Sequence, residues 1–253
     1  MKIAVMMAAY NAAPFIEDAI ASLLRQRDAA AFDIIVVNDG STDGTGDIVS
    51  RLADQTSEIR LIETPNQGVT RTRNVLIDAI AGDTDFVTLL DSDDLSPAGR
   101  FARDLSRFAA DPSLELSFGD SLLFRKVGPD RLTPDFSSLT IRVRGVQMGA
   151  GLYRTDLIRR TGRYDESLRQ GEDLDYMLRL FEQQPRYVVT DDVNYFYRRH
   201  ASNMTSDVSE TQRGVARAIM LAARRKKALG LPPLPRGVFD MKEVGELAKL
   251  DRD

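Results

Sequence analysis

The sequence predicts an α/β protein: a mostly parallel central sheet flanked by helices, with a small antiparallel portion and a C-terminal helical extension. Two observations favour this fold. Over the first 110 residues, short apolar runs alternate with segments whose apolar residues recur every three or four positions, as in strand–helix–strand units with right-handed crossovers. Polar and acidic residues directly follow those runs, as expected where the carboxyl ends of parallel strands carry a ligand site.

Each strand of the first half is predicted from a buried apolar run. The runs are Ile3–Met7, Ile34–Val37, Ile59–Ile62 and Phe86–Leu90. A segment with helical periodicity follows each run. The helical segments are marked by Ile16–Leu24, Ile48–Leu52, Val69–Ile80 and Phe101–Phe108.

Beyond residue 110 the alternation changes. Two apolar runs, residues 114–118 and 122–124, flank Gly119-Asp120, which predicts a hairpin or a tight turn. Alternating Ile141, Val143 and Val146 predict an edge strand, and Gly149-Ala150-Gly151 predicts a close backbone approach. An amphipathic helix follows, with Glu172-Asp173 at its start, and two short strands end the region. The helix is marked by Leu174, Met177, Leu178 and Phe181, and the strands are Tyr187–Val189 and Val193–Tyr197.

The C-terminal region is predicted to be helical. A stripe of Val208, Val215, Ile219 and Ala222 indicates a helix packed against the domain. The basic run Arg224–Lys227 has two interpretations: favourable charge at a helix C-terminus, or a patch for anionic lipid headgroups. A proline-rich linker at residues 231–235 and a short peripheral helix are predicted to follow.

Composition excludes several classes of protein and site. The chain has 253 residues with a net charge of −4, so no general attraction to nucleic acid is expected. It has no cysteine and one histidine, His200, which excludes disulfides, thiol catalysis and multi-histidine metal sites. No apolar run approaches the roughly 18 residues of a spanning helix, and the N-terminus lacks the pattern of a signal peptide. We therefore expect a cytoplasmic location, with peripheral contact at the inner face of the membrane as an option.

The strongest functional signal is the acidic stretch Asp91-Ser92-Asp93-Asp94, which directly follows the fourth predicted strand. Carboxylates this close repel one another unless a cation lies between them. Hard oxygen ligands suit Mg²⁺ or Mn²⁺ bound to a diphosphate. The alternative is a solvated acidic turn that caps the next helix.

Other polar residues are predicted to lie on the same edge of the sheet. Tyr10-Asn11 ends the first strand and Asp39 ends the second, so a nucleotide can span this edge with its phosphates near the metal. Arg71 or Arg73 would then add positive charge at the phosphates. The alternative for each arginine is an ordinary surface residue.

Six short motifs in this order resemble the GT-A, Rossmann-like fold of family 2 inverting glycosyltransferases. They are Ala9-Tyr10-Asn11, Asn38–Asp43, Asn66–Val69 with Arg73-Asn74, Asp91–Asp94, Gly162–Glu166 and Gly171-Glu172-Asp173. The resemblance covers residues 1–205. It implies a nucleotide-binding half at 1–110, an acceptor-side half at 111–205 and a helical extension at 206–253. Each motif is weak alone, but the ordered set is specific.

The resemblance implies a role for each matched residue. Donor binding falls to Ala9, Tyr10, Asn11, Asp39, Arg71, Arg73, Asp91 and Ser92, with Asp39 recognising the base, usually uracil. The expected ligands of a bound Mn²⁺ or Mg²⁺ are Asp91, Asp93, Asp94 and His200. The catalytic pair is Glu172 and Asp173, with Asp173 as general base. For His200, a hydrogen-bonded histidine at a strand end is an equal alternative.

The general base also follows from the chemistry. Displacing a nucleoside diphosphate requires that the charge of the leaving group is neutralised. It also requires a base on the opposite face of the sugar, which takes the proton of the acceptor hydroxyl. Asp173 opens a helix, whose N-terminus favours an ionised carboxylate.

Some positions depart from the family pattern. Ala8 stands where proline is usual, which should loosen that turn, and Thr72 replaces a frequent alanine. The chain has no tryptophan, so the QxxRW-type motif of processive synthases is absent, as are their membrane helices. These absences favour transfer of a single sugar. The resemblance implies that this sugar moves from a UDP-sugar to an acceptor hydroxyl, in cell-surface polysaccharide or glycoconjugate synthesis.

Two other functions remain open from the sequence. A phosphatase of the haloacid dehalogenase type also has Asp-x-Asp after a buried strand, but Leu95 occupies the position where it needs Thr or Val. A non-catalytic sugar-nucleotide-binding protein could use the same fold. The acceptor and the oligomeric state are not predicted.

Overall fold

The computed structural model describes residues 1–144, 147–201, 203 and 208–233. Within them, eight strands form one sheet. The strands are β1 Lys2–Ala9, β2 Ala31–Asp39, β3 Ile59–Thr64, β4 Phe86–Leu89, β5 Leu116–Phe124, β6 Ile141–Val143, β7 Gly151–Arg154 and β8 Tyr187–Arg198. The helices are α1 Ile16–Leu24, α2 Thr45–Ala53, α3 Val69–Asp78, α4 Arg100–Ala110, α5 Thr155–Thr161, α6 Glu172–Glu182 and α7 Val208–Leu229.

The strand order is β3-β2-β1-β4-β7-β5-β6, with β8 beside β5. Strands β3, β2, β1 and β4 are mutually parallel. Strand β7 runs antiparallel to β4 and to β5, and β8 runs parallel to β5. This arrangement confirms the predicted α/β fold with its small antiparallel portion. It also brings the carboxyl ends of β1, β2 and β4 together on one edge, which we call the donor rim.

The core lies on both faces of the parallel strands. Residues Ile3–Met7 of β1 and Ile34–Val37 of β2 are at most 1% exposed. Strands covered by helices on both faces carry continuous apolar runs rather than alternating ones. The unbroken apolar runs in the sequence were therefore a reliable signal for this half.

The hairpin predicted at Gly119-Asp120 is wrong, because β5 continues through it. Strand β8 is also one strand rather than two, and the pairing of β5 with β8 shifts register between Phe118 and Ser121. A Cβ on Gly119 would lie 2.6 Å from the Asp192 carbonyl oxygen. The glycine thus permits a close approach of two strands at an irregularity, which resembles a turn when only the sequence is read.

The predicted packing stripe of α7 is also out of phase. Ile219 is 55% exposed, whereas Ala218 is fully buried. Arg225 faces α6, with Nη1 2.8 Å from Asp175 and Nε 3.0 Å from Glu182. Helix α7 contacts α6 through ion pairs with carboxylates and through a glycine turn. Its packing face therefore cannot be recognised from apolar residues in the sequence.

Some predictions fall outside the described residues. These are the place of Val146 on the edge strand, the last two residues of the proline-rich linker and the last short helix. The side chain of Val208 also lies outside them. Among the described residues, no helix is long and apolar enough to cross a lipid bilayer.

Candidate active site

The loops that follow β1 and β2 are tied together at the donor rim. Asn11 adopts a left-handed conformation with φ of 50°. Its side-chain oxygen accepts from the Thr42 N–H at 2.8 Å, and its own N–H donates to Ser41 Oγ at 2.9 Å. Next to it, Ala9 is buried and Tyr10 is 53% exposed. The loop therefore presents an aromatic ring to solvent at the end of β1.

Asp39 anchors the next loop. It is only 4% exposed, and its two oxygens accept the backbone N–H groups of Gln67 and Gly68, each at 2.9 Å. These residues lead into α3, and Gly68 has φ of 89°, a conformation that favours glycine. The carboxylate thus holds the start of α3 against β2. Its role in recognising a base stays a prediction.

The three carboxylates after β4 point in different directions. Asp94 is 1% exposed and accepts from the Tyr195 hydroxyl at 2.7 Å and from the Arg198 N–H at 2.6 Å. Burial, with the charges of Asp93 and Asp91, raises its pKa well above the ordinary range. Because both oxygens are used inside the fold, we withdraw Asp94 as a metal ligand. Ser92 is also nearly buried in this loop.

Asp93 faces the residues that follow β8. His200 Nε2 lies 2.9 Å from Asp93 Oδ2, and the Asn203 side-chain amide donates to the same oxygen at 3.3 Å. The Phe15 ring stacks on His200 with centroids 4.6 Å apart. His200 and Asn203, which follow β8, therefore contact the acidic loop.

Arg73 connects the acidic loop to the start of α6. Its Nη1 lies 2.6 Å from Glu172 and 2.7 Å from Asp173, and its Nη2 lies 3.3 Å from Asp91. Burial acts to lower the pKa of Arg73, but the charges of Asp173, Asp91 and Glu172 raise it well above the ordinary value. A guanidinium thus stays charged at the centre of three carboxylates.

Arg71 lies elsewhere. It is exposed and pairs with Glu166 at 3.2 Å, so of the two arginines only Arg73 reaches the acidic loop. Even Arg73 faces carboxylates rather than open space. Phosphate binding by either arginine stays a prediction.

Asp173 has an unusual electrostatic environment. Burial raises its pKa to about 7; Arg73 opposes this shift, and the charges of Glu172 and Asp91 add to it. The expectation that a helix N-terminus would favour the ionised form is therefore wrong in its net effect, because burial and like charges outweigh the dipole. A carboxyl that titrates near neutral pH suits a general base.

The turn that carries Glu172 and Asp173 is held from outside by α7. Gly171 adopts φ of 78°, and a Cβ on it would lie 2.5 Å from the backbone of Gly214. A Cβ on Gly214 would likewise lie 2.4 Å from the Gln170 carbonyl oxygen. The two backbones touch, so the C-terminal helix supports the turn directly.

Sequence reasoning missed several residues of this site. Tyr195 accepts the Asp91 N–H at 3.2 Å while it donates to Asp94, and a Cβ on Gly149 would lie 2.0 Å from its ring. The predicted close approach at Gly149 is thus a contact with Tyr195. For Tyr195, Asn203 and Gly214 no local pattern gives a signal, because their partners are distant in the sequence.

The fit of the site to a divalent metal depends on Asp93 and His200. Among the described residues, no group of three or more acidic, histidine or cysteine side chains is arranged to hold a metal ion. Asp93 and His200, which are in contact, supply one carboxylate and one imidazole. Mg²⁺-type sites commonly use one or two carboxylates and take their other ligands from substrate phosphates and water. The residues therefore fit a cation that arrives with a diphosphate.

Residues 4–118 match the family model described as glycosyl transferase family 2. The part of the chain that matches glycosyltransferase family 2 is thus a little less than half of it. Among curated relatives, it is 29% identical to the uncharacterized glycosyltransferase EpsJ of Bacillus subtilis over 80% of this chain and 62% of that protein. It is 30% identical to the succinoglycan biosynthesis protein ExoU of Rhizobium meliloti over 76% of this chain and 60% of that protein. The matches thus span about three fifths of these relatives.

Solved structures of low identity share the fold. Staphylococcus aureus TarS in complex with UDP-GlcNAc superposes with a TM-score of 0.69, at 20% identity over all of this chain and 71% of that chain. The mannosyltransferase PcManGT of Pyrobaculum calidifontis, in complex with GDP-Man and Mn²⁺, has a TM-score of 0.65, at 21% identity over 92% and 65% of the two chains. The family 2 match over residues 4–118 argues against the dehalogenase-type phosphatase.

Proposed function

We propose that the protein is a metal-dependent, inverting hexosyltransferase that moves one sugar from a UDP-sugar to an acceptor hydroxyl in polysaccharide or glycoconjugate synthesis. The observation that carries the proposal is the Arg73 contact with both Asp91 and Asp173. It joins a donor-side carboxylate to a carboxyl whose pKa is about 7. The name of ExoU supports a polysaccharide role, and the TarS complex supports a UDP-sugar donor.

On the acceptor side, we assign the general base to Asp173. Its carboxylate accepts the proton of the acceptor hydroxyl as the oxygen attacks the anomeric carbon. The bond from that carbon to the diphosphate breaks on the opposite face, so the configuration inverts. Arg73 binds one oxygen of Asp173 and so orients the carboxylate. Glu172 shares the guanidinium and keeps the proton affinity of its neighbour high.

On the donor side, we assign Asp93 and His200 to a divalent cation, with Asp91 and Ser92 beside the ribose and diphosphate. When bound, the cation neutralises charge on the departing diphosphate. Tyr10 is exposed at the end of β1, where its ring can stack on a base. We assign base recognition to Asp39, together with Ala9 and Asn11 in the first loop. The division into residues 1–110, 111–205 and 206–253 stays part of the proposal.

The proposal is tested by incubating the protein with a panel of UDP- and GDP-sugars, with Mn²⁺, Mg²⁺ or EDTA. We expect slow release of nucleoside diphosphate from a UDP-sugar, lost in EDTA and in Asp93→Ala. Binding without any turnover across the panel and across candidate acceptors would indicate the non-catalytic alternative. A product that retains the anomeric configuration of the donor, seen by NMR, would overturn the single-displacement mechanism.

A further inference from the structure

Helix α7 has an outward surface that its packing on α6 does not use. With about 100° of rotation per residue, Gly214, Ala218 and Arg225 lie on one side of the helix and face α6. The remaining surface, which we call the outer face, carries four basic and two large apolar residues, all exposed. They are Arg213, Arg217, Arg224, Lys227, Ile219 and Met220. Met220 therefore lies among the basic residues, and Ile219 lies about 100° from it around the helix.

The charge of this helix contrasts with that of the chain. Helix α7 contains six basic residues and one acidic residue, whereas the whole chain has a net charge of −4. Arg225 turns inward to Asp175 and Glu182, so its charge is neutralised within the fold. The charge of the outer face is directed to solvent except at Arg217, whose charge helps to lower the pKa of Asp165.

The helix dipole accounts for only some of these residues. Positive charge is favourable only in the last turn of a helix, which explains Lys227 and its neighbours near Leu229. Arg213 and Arg217 lie in the first half of α7, where the dipole gives no benefit. Ile219 and Met220 are 55% and 46% exposed, and contact of such apolar side chains with water is unfavourable.

We propose that the outer face of α7 binds an anionic lipid surface. A basic helix with exposed apolar residues can lie in the plane of a membrane interface, with its apolar residues among the headgroups and its basic residues on the phosphates. A second copy of this chain fits less well, because a symmetric contact would place the arginines of one copy against those of the other. In a chain of net negative charge, this basic face also fixes the orientation at the membrane.

The contact between Gly171 and Gly214 determines how far the active site would lie from the membrane in this orientation. Helix α7 lies directly against the turn that begins α6, so docking would hold Asp173 about one helix diameter, roughly 10–12 Å, from the lipid surface. That distance suits an acceptor anchored in the membrane. The consequence rests on the proposed function, whereas lipid binding itself does not.

The test is co-sedimentation with vesicles in the absence of any substrate. Vesicles of phosphatidylcholine alone are compared with vesicles that also contain phosphatidylglycerol. The variant Arg213→Glu/Arg224→Glu/Lys227→Glu reverses the basic stripe. The control Arg51→Glu/Lys126→Glu/Arg159→Glu makes the same change in net charge at exposed residues elsewhere. Circular dichroism shows whether each variant is folded, and release of nucleoside diphosphate from donor in solution measures the active site separately.

We expect the unmodified chain and the control to bind anionic vesicles and to leave phosphatidylcholine vesicles unbound. Because each basic residue at such a surface contributes about fivefold to partitioning, the α7 variant should bind at least about 100-fold more weakly. A second variant, Ile219→Ser/Met220→Ser, should also weaken binding while it keeps the charge. Equal binding by the α7 and control variants, or no binding by the unmodified chain, would overturn the proposal. So would a concentration-dependent dimer that Ile219→Ser/Met220→Ser abolishes without any lipid binding, since the outer face would then bind a second copy.

Discussion

The donor rim and the segment Gly171-Glu172-Asp173, which we call the base segment, are held in place by different kinds of contact. The donor rim follows from the backbone pairing of β1 with β2 and with β4, and short hydrogen bonds close its loops. The base segment has no such frame. It is held by Arg73, about 100 residues earlier in the chain, and by Gly214 on the C-terminal helix.

This difference separates binding from turnover. A carboxylate at the donor rim belongs to a rigid sheet edge, and changing it should alter the affinity for the donor. The base segment depends on a few side-chain contacts over long distances. Changes there should lower turnover and leave donor affinity nearly intact. The following substitutions test this separation, from the largest expected effect to the smallest.

The largest effect is expected from Asp173→Asn, which keeps the shape of the side chain and removes the base. A positioned general base typically contributes about 10²–10⁴-fold, so kcat should fall by that factor. Donor affinity, measured by calorimetry, should stay nearly unchanged. Asp156→Asn is the control, because Asp156 is an exposed carboxylate of the same half. Turnover by Asp173→Asn at the level of this control would remove Asp173 from the mechanism.

Arg73→Ala should be the most destabilising change of the set. It leaves Glu172 and Asp173, which are mostly buried, and the more exposed Asp91 without their shared cation. Removal of one partner from a buried charge cluster costs about 3–5 kcal/mol. Urea denaturation measures the free energy of unfolding.

Arg71→Ala is the matched control for this change. Arg71 lies on the same helix in an exposed pair, and its loss should cost no more than about 1 kcal/mol. Similar losses for the two variants would mean that Arg73 is not the link between the rim and the base segment.

The same contrast explains what could be predicted from the sequence. The strands and the donor rim were predictable because apolar runs and the polar residues after them are local signals. Asp39, Asp91 and Asp93 were placed correctly on one edge for this reason. The ordered motifs also placed Glu172 and Asp173 at a helix start, where the structure has them.

What joins these parts was not predictable, because it depends on pairs distant in the sequence. Asp94 looks the same as Asp93 in the sequence, yet Tyr195 and Arg198 hold it inside the fold. Gly119 marks a turn by residue type, but the neighbouring strand determines that it permits a close approach. The phase of α7 was misjudged because its packing depends on Gly214 and Arg225 rather than on apolar side chains.

Gly214→Ala should disturb the base segment without touching it chemically. The added Cβ would meet the Gln170 carbonyl oxygen at 2.4 Å, so the turn or the helix must shift. Overpacking of this kind costs about 1–3 kcal/mol, and a small displacement of a catalytic group can cost up to about 10²-fold in rate. We expect a lower kcat with an unchanged KM for the donor.

Gly82→Ala is the control for Gly214→Ala, because a Cβ there meets nothing within 4 Å. A parallel loss of donor affinity in Gly214→Ala would contradict the separation of the two regions. In that case α7 would support the whole domain rather than the base segment.

The pH dependence of the unmodified chain follows from the raised pKa of Asp173. Only the ionised carboxylate accepts a proton, so kcat/KM should fall as pH decreases through about 7, by about tenfold per unit below it. The ordinary pKa of an aspartate in an unfolded chain is about 4. Between pH 4 and pH 7 the native state therefore keeps this proton, whereas the unfolded chain has lost it. The contribution of Asp173 to stability is therefore present below about pH 4 and is lost as pH rises towards 7. Asp173→Asn should remove both dependences.

Glu172→Gln should give the smallest effect, a shift of that acid limb to lower pH. The charge of Glu172 raises the pKa of Asp173, and its loss favours the ionised base. The guanidinium of Arg73, which Glu172 now shares at 2.6 Å, would turn fully to Asp173 and lower the pKa further. Both effects act in the same direction, and we expect a shift of up to about one unit with kcat nearly unchanged above pH 8. Because the two carboxyls titrate as a pair, the full profile of kcat/KM against pH is the required measurement. An acid limb that stays in place would mean that Glu172 does not influence the base, and a limb that moves to higher pH would mean that the residue mainly holds Arg73 in position.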